Sequence, residues 1–128
     1  MEKKSQVIFG NKMKDSVVRS AKNSKNKYIK KFGDDSDVLY PIAIEDNAYI
    51  GDTLGVKNIV ISENGNDDFD MEKGIIVGNI RMGFGHYRIS MAIASAANAL
   101  GYTPYWMDLN SYKETTGGKV ISAQNDLY

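Results

Sequence analysis

The chain contains no cysteine, one histidine and two prolines among its 128 residues, and each scarcity closes off a class of function. Without thiols there is no disulfide framework and no thiolate metal site, a usage compatible with a reducing compartment. One imidazole is too few for an all-protein zinc site, and no metal is expected. Long apolar runs are lacking too. After Met1-Glu2-Lys3-Lys4-Ser5-Gln6 only Val7-Ile8-Phe9 intervene before polar residues resume, which makes neither a signal-peptide core nor a membrane span. A cytoplasmic protein is the expectation. No internal repeat or low-complexity segment is present, and a 42% hydrophobic content over this length suits one domain with a real core.

Net charge is absent as well, but the zero conceals segregation. Residues 1–31 hold ten Lys/Arg and two Asp/Glu, residues 32–72 one and eleven, and residues 73–128 five and three. Adjacent blocks of opposite sign most simply form a solvated, self-complementary surface. Residues 1–32 read as a basic, partly helical segment in which Met13, Val17, Ala21, Tyr28 and Phe32 draw a narrow stripe among lysines. Such a stripe also suits peripheral contact with the anionic inner face of a membrane. Lys22-Asn23-Ser24-Lys25-Asn26-Lys27 interrupts it and argues against one continuous helix. Nucleic acid is not an expected partner, because aromatics are not interleaved with the basic residues and the acidic block follows at once.

Val38–Ile44 reads as a strand that Pro41 pushes toward an edge or a bulge. Glu45, Asp46 and Asp52 follow around Asn47 without the glycine spacing of a calcium loop, so a loop is favoured over a metal site. Val56–Ile61 is a second apolar run, and Glu63–Asp68 is a polar turn with a strand on either side. Beyond residue 108, Leu109–Thr116 could begin a helix capped by Asn110 or Ser111, which Gly117-Gly118 would break.

The richest stretch is Gly74–Asp108. Gly74-Ile75-Ile76-Val77-Gly78-Asn79-Ile80 is short, β-branched and apolar on successive residues, as in a strand of a parallel sheet covered on both faces. Arg81–Arg88 forms a loop whose Gly83 and Gly85 let the backbone turn sharply and approach a bound group. From Tyr87 to Leu100, the residues Ile89, Ala92, Ile93, Ala96, Ala97 and Leu100 recur at helical spacing, and Gly101 supplies a left-handed stop. Tyr102–Asp108 is the next strand, with Pro104 near its beginning. The unit is a βαβ crossover. Its loop lies at the carboxyl edge of the sheet, against the N–H groups and positive dipole end of the helix. Arg81, His86 and Arg88 add donors or charge, so phosphate, diphosphate and a developing oxyanion are all candidate guests. An imidazole titrates near neutrality and so can accept a proton there, or it can simply cap the helix.

The segment Ile80-Arg81-Met82-Gly83-Phe84-Gly85-His86-Tyr87-Arg88-Ile89-Ser90-Met91-Ala92-Ile93-Ala94 resembles the Gly-x-Gly-His loop and alanine-rich helix of two-domain GT-B glycosyltransferases of the monogalactosyldiacylglycerol synthase type. Phe84 separates the two glycines, which are usually adjacent in that family. The resemblance implies an α/β fold, a Rossmann-like parallel sheet with flanking helices over residues 33–128, forming an incomplete N-terminal half of the GT-B architecture. It further implies an acceptor-binding domain in which Gly83 and Gly85 are the loop glycines and His86 is the base that takes a proton from the acceptor hydroxyl. Phe84, Arg81 and Arg88 would contact substrate or phosphate. The donor would be a nucleotide-sugar held by a C-terminal domain beyond this chain, which would bind no cofactor alone and would be inactive alone. The acceptor would be a small molecule or a lipid.

Two other readings remain open. Asp108 ends its strand 25 positions after Gly83, where the ribose-binding acid of a dinucleotide-binding Rossmann domain is expected. Against this, Arg88 occupies the place of the third glycine in G-x-G-x-x-G, and Asp108 can equally be a turn cap. A non-catalytic α/β module is the third.

Overall fold

A computed structural model of the chain describes residues 6–127. It divides into two compact units, residues 1–35 and 36–128. Residues 1–5, the start of the basic segment, lie outside the described residues, as does Tyr128.

In the first unit, strands β1 (Val7–Ile8) and β2 (Asn11–Lys12) form an antiparallel hairpin. Phe9 and Gly10 both take positive φ, 48° and 79°, the backbone of a two-residue turn whose twist matches its strands. Helix α1 runs unbroken over Asp15–Phe32, which corrects the expected interruption at Lys22–Lys27. No glycine or proline lies within it, and solvated Lys, Asn and Ser cost a helix only tenths of a kcal/mol each. Asp15 in the first turn and Lys30 and Lys31 in the last complement the dipole. Gly33 ends it at φ 98°, donating to the Ile29 carbonyl at 2.9 Å.

The second unit is α/β. Its sheet contains β3 (Ile42–Asp46), β4 (Lys57–Ile61), β5 (Gly74–Asn79) and β6 (Thr103–Asp108) in the order β3-β4-β6-β5. β4, β6 and β5 are parallel, and β3 pairs antiparallel to β4. Helices α2 (Gly51–Leu54), α3 (Phe84–Ala99) and α4 (Thr116–Asn125) flank this mostly parallel sheet, an arrangement compatible with a Rossmann-like fold. The strand after Pro41 is an edge strand, although it begins at Ile42 rather than Val38.

The core lies between the sheet and α2 and α3, where Val56, Ala94 and Trp106 are buried and Ile50, Leu54, Tyr87 and Met91 pack around them. The buried residues of α3 are Ser90, Ala94 and Ala97, rotated from the expected stripe. Ile89, Ile93 and Leu100 are 61%, 50% and 76% exposed. Small side chains, rather than the larger apolar ones, bring this helix close to the strands. Gly101 takes φ 81°, and the helix stops there as expected.

The other face of the sheet is only partly covered. On β5, Val77 and Asn79 are buried under α3, whereas Ile76 on the opposite face is 64% exposed. The expectation of cover on both faces therefore holds for one. α4 sits over a cleft of about 470 Å³ lined by Ile42, Ile59, Ile76, Met107 and Ile121 among others. Gly117-Gly118 does not break a helix but starts this one: the Thr115 hydroxyl accepts from the Gly118 N–H at 2.9 Å as N-cap. A side chain at Gly118 would collide with the Tyr112 carbonyl. Among the described residues no helix is long and apolar enough to cross a membrane.

Candidate functional site

The loop Ile80–Gly83 joins the carboxyl end of β5 to α3. Gly83, the N-cap position, has φ 112° and ψ 171°, a region only glycine occupies without strain. The N-cap glycine offers no side-chain cap to the N–H groups of the helix's first turn. The helix begins at Phe84, three residues before the expected Tyr87, which places His86 in its first turn. The Ser90 hydroxyl lies 2.9 Å from the Gly78 carbonyl oxygen and 3.0 Å from that of His86. One proton shared between these two acceptors ties that turn to the end of β5.

The loop after β6 braces the loop after β5. The Arg81 N–H donates to Asn110 Oδ1 at 2.6 Å, and its guanidinium meets Asp108 Oδ2 at 2.9 Å. Asp108 also accepts from the Asn110 N–H and the Ser111 hydroxyl, both at 3.1 Å. Its carboxylate is 16% exposed and serves three donors, which is the geometry of a turn cap. Leu109 N–H closes the arrangement on the Asn79 carbonyl at 2.9 Å.

Three clefts open around this junction. His86 shares one of about 250 Å³ with Asn79, Ser90, Ile89, Ile93 and Leu109 among others. Arg81, Gly83, Phe84 and Tyr87 line another of about 410 Å³. A third, of about 230 Å³, lies on the α3 side of the strands and is lined by Asn58, Asn79, Arg81, Tyr87, Trp106 and Asp108 among others, Asn47 and Ser111 included. The loop residues named from sequence are thus divided between neighbouring clefts, with Arg88 exposed on α3 one turn beyond Phe84. Gly85 is helical, and a Cβ there would meet nothing within 4 Å. Packing does not require glycine at that position.

Asn79 is what the sequence reading passed over. It is 3% exposed, and neither Nδ2 nor Oδ1 has a hydrogen-bond partner among the described residues. It belongs to the walls of both the His86 cleft and the Trp106 cleft. Burying an unpaired carboxamide is costly, and native proteins contain few. The available signal was a polar residue at an inward-facing position of an otherwise apolar strand.

The acidic turn after β3 is held locally. Asp46 pairs with Lys57 at 2.9 Å. Asn47 accepts from the N–H groups of Tyr49 and Ile50 and donates to Asn58 Oδ1 at 2.9 Å. Among the described residues no three His, Cys, Asp or Glu side chains converge as a metal site would require.

A family model described as a domain of unknown function (DUF6937) matches residues 7–128, and the chain belongs to that family. No curated protein and no solved structure matches the chain.

Proposed function

We propose that this DUF6937 domain is the acceptor-binding half of a nucleotide-sugar-dependent glycosyltransferase and that His86 is its base. The observation that carries the reading is the position of the imidazole. It is exposed on the first turn of α3, at a glycine-bent β-to-α junction, and it lines a cleft beside the unpaired Asn79. In the proposed step His86 takes the proton of the acceptor hydroxyl as that oxygen bonds to the anomeric carbon of the donor. The bond from that carbon to the nucleoside diphosphate breaks, and its electron pair leaves with the diphosphate. Arg88, exposed on α3, supplies positive charge for the diphosphate as charge develops on it, whereas the Arg81 guanidinium is already paired with Asp108. In the two-domain arrangement the donor would be held by a second domain. A small molecule or the headgroup of a lipid at the inner membrane face would serve as acceptor.

The dinucleotide reading is less well supported, because Asp108, its intended ribose ligand, is engaged by Arg81, Asn110 and Ser111.

The test is sugar transfer from a panel of UDP- and GDP-sugars by the full-length product of the gene, wild type against His86→Asn. Loss of transfer by about 10²-fold or more with an unchanged thermal transition is expected, the usual scale of a positioned base. Transfer within a few-fold of wild type in the variant would remove His86 from the role.

A further inference from the structure

We propose that the cleft between Asn58, Tyr87, Trp106 and the Arg81–Asp108 pair takes a neutral, polyhydroxylated ring, a sugar or a cyclic polyol, with the Asn79 carboxamide bonded to two neighbouring hydroxyls. The inference rests on the acceptor reading above and names the acceptor's chemical class; this cleft adjoins the one that His86 lines, Asn79 being a wall of both.

A carboxamide presents a donor and an acceptor side by side. Both of these on Asn79 are buried and unmatched. A pair of adjacent hydroxyls is complementary, since each hydroxyl both donates and accepts. The surroundings select against charge. The one cation and the one anion of the lining neutralise each other at 2.9 Å, so a phosphate would have to displace Asp108 from Arg81. They also select against a purely apolar guest, because Asn58, Asn47 and Ser111 bring further amides and a hydroxyl to the same space. Tyr87 and Trp106, edge to face with centroids 5.8 Å apart, give one wall the apolar character that suits the C–H face of a ring. At about 230 Å³ the space falls below the roughly 300–1,000 Å³ of sites that enclose drug-sized ligands, so it admits one ring.

The experiment is a titration of the 15N-labelled chain followed at the side-chain amide resonances. Methyl glycosides and inositol are the probes, and adenosine, whose N6/N7 edge also pairs with a carboxamide, and inorganic phosphate are the contrasts. Saturable shifts of the Asn79 amide pair by a glycoside or inositol, weakened at least tenfold by Asn79→Leu, are expected. A shift by adenosine or phosphate alone, no shift by any probe, or glycoside affinity unchanged in Asn79→Leu would overturn the proposal. Should that variant not fold, the wild-type titration decides by the same shifts. Polyol binding together with transfer unaffected by His86→Asn would remove the transfer reading and leave this one standing. Loss of transfer with no polyol binding would do the reverse.

Discussion

Gly83 and Gly85 stand two residues apart, yet replacing each with alanine should have opposite effects. Gly83 holds φ 112° and ψ 171°, a region that costs a residue with a Cβ about 1–3 kcal/mol. Gly85 is helical, and a Cβ there meets nothing within 4 Å. Alanine in a helix is favoured over glycine by up to about 0.5–1 kcal/mol, less in a first turn. The second unit spans residues 36–128, and at that size 1 kcal/mol moves Tm by about 4–8 °C. Gly83→Ala should therefore lower Tm by about 4–24 °C, and Gly85→Ala should leave it unchanged or raise it by a few degrees. Trp106 is the chain's one tryptophan and is 4% exposed, so its fluorescence follows this unit by itself. Equal losses in the two variants, or no loss in Gly83→Ala, would refute the backbone argument and with it the account of how the loop presents the helix start.

Asn79→Leu should raise the stability of the same unit, by up to about 1–3 kcal/mol, because it deletes a buried amide without partners. Destabilisation in urea unfolding would mean that the amide is paired after all. Ser90→Ala should cost about 0.5–1.5 kcal/mol and speed amide exchange in the first turn of α3 while leaving its C-terminal half protected, since the hydroxyl links the His86 carbonyl in that turn to the Gly78 carbonyl of β5. Burial, and next the negative charge of Asp108, push the Tyr112 hydroxyl above its ordinary pKa of 10.0. The folded state thus holds its proton more tightly than the unfolded one. That contribution is complete below about pH 10 and is lost as the pH rises through the raised value. Tyr112→Phe should flatten the alkaline loss of stability, at a cost near neutrality of about 0.5–1.5 kcal/mol for the bond to the Ile59 carbonyl at 2.8 Å. Denaturant midpoints from pH 7 to 11 would measure both effects.

The βαβ crossover, its glycine loop and its stop at Gly101 were legible in the residues, because each rests on a local rule: β-branched runs extend, alanine-rich spacing coils, and a glycine after the last turn ends a helix. Where the reading failed, three-dimensional contact decided rather than residue type. Gly117-Gly118 looks like a helix breaker until Thr115 caps the helix and Tyr112 lies against Gly118. The face of α3 that turns inward is set by which side chains are small enough to meet the strands, so Ser90, Ala94 and Ala97 displace the more apolar Ile89 and Ile93. The place of His86, the lone imidazole at a β-to-α bend, could be read from sequence, whereas the unpaired burial of Asn79 could not. Periodicity places an amide on an inward face. Only the packing of α3 and of the loop after β6 determines whether that amide meets a partner, because a hydrogen bond depends on ångström distances between groups far apart in the chain.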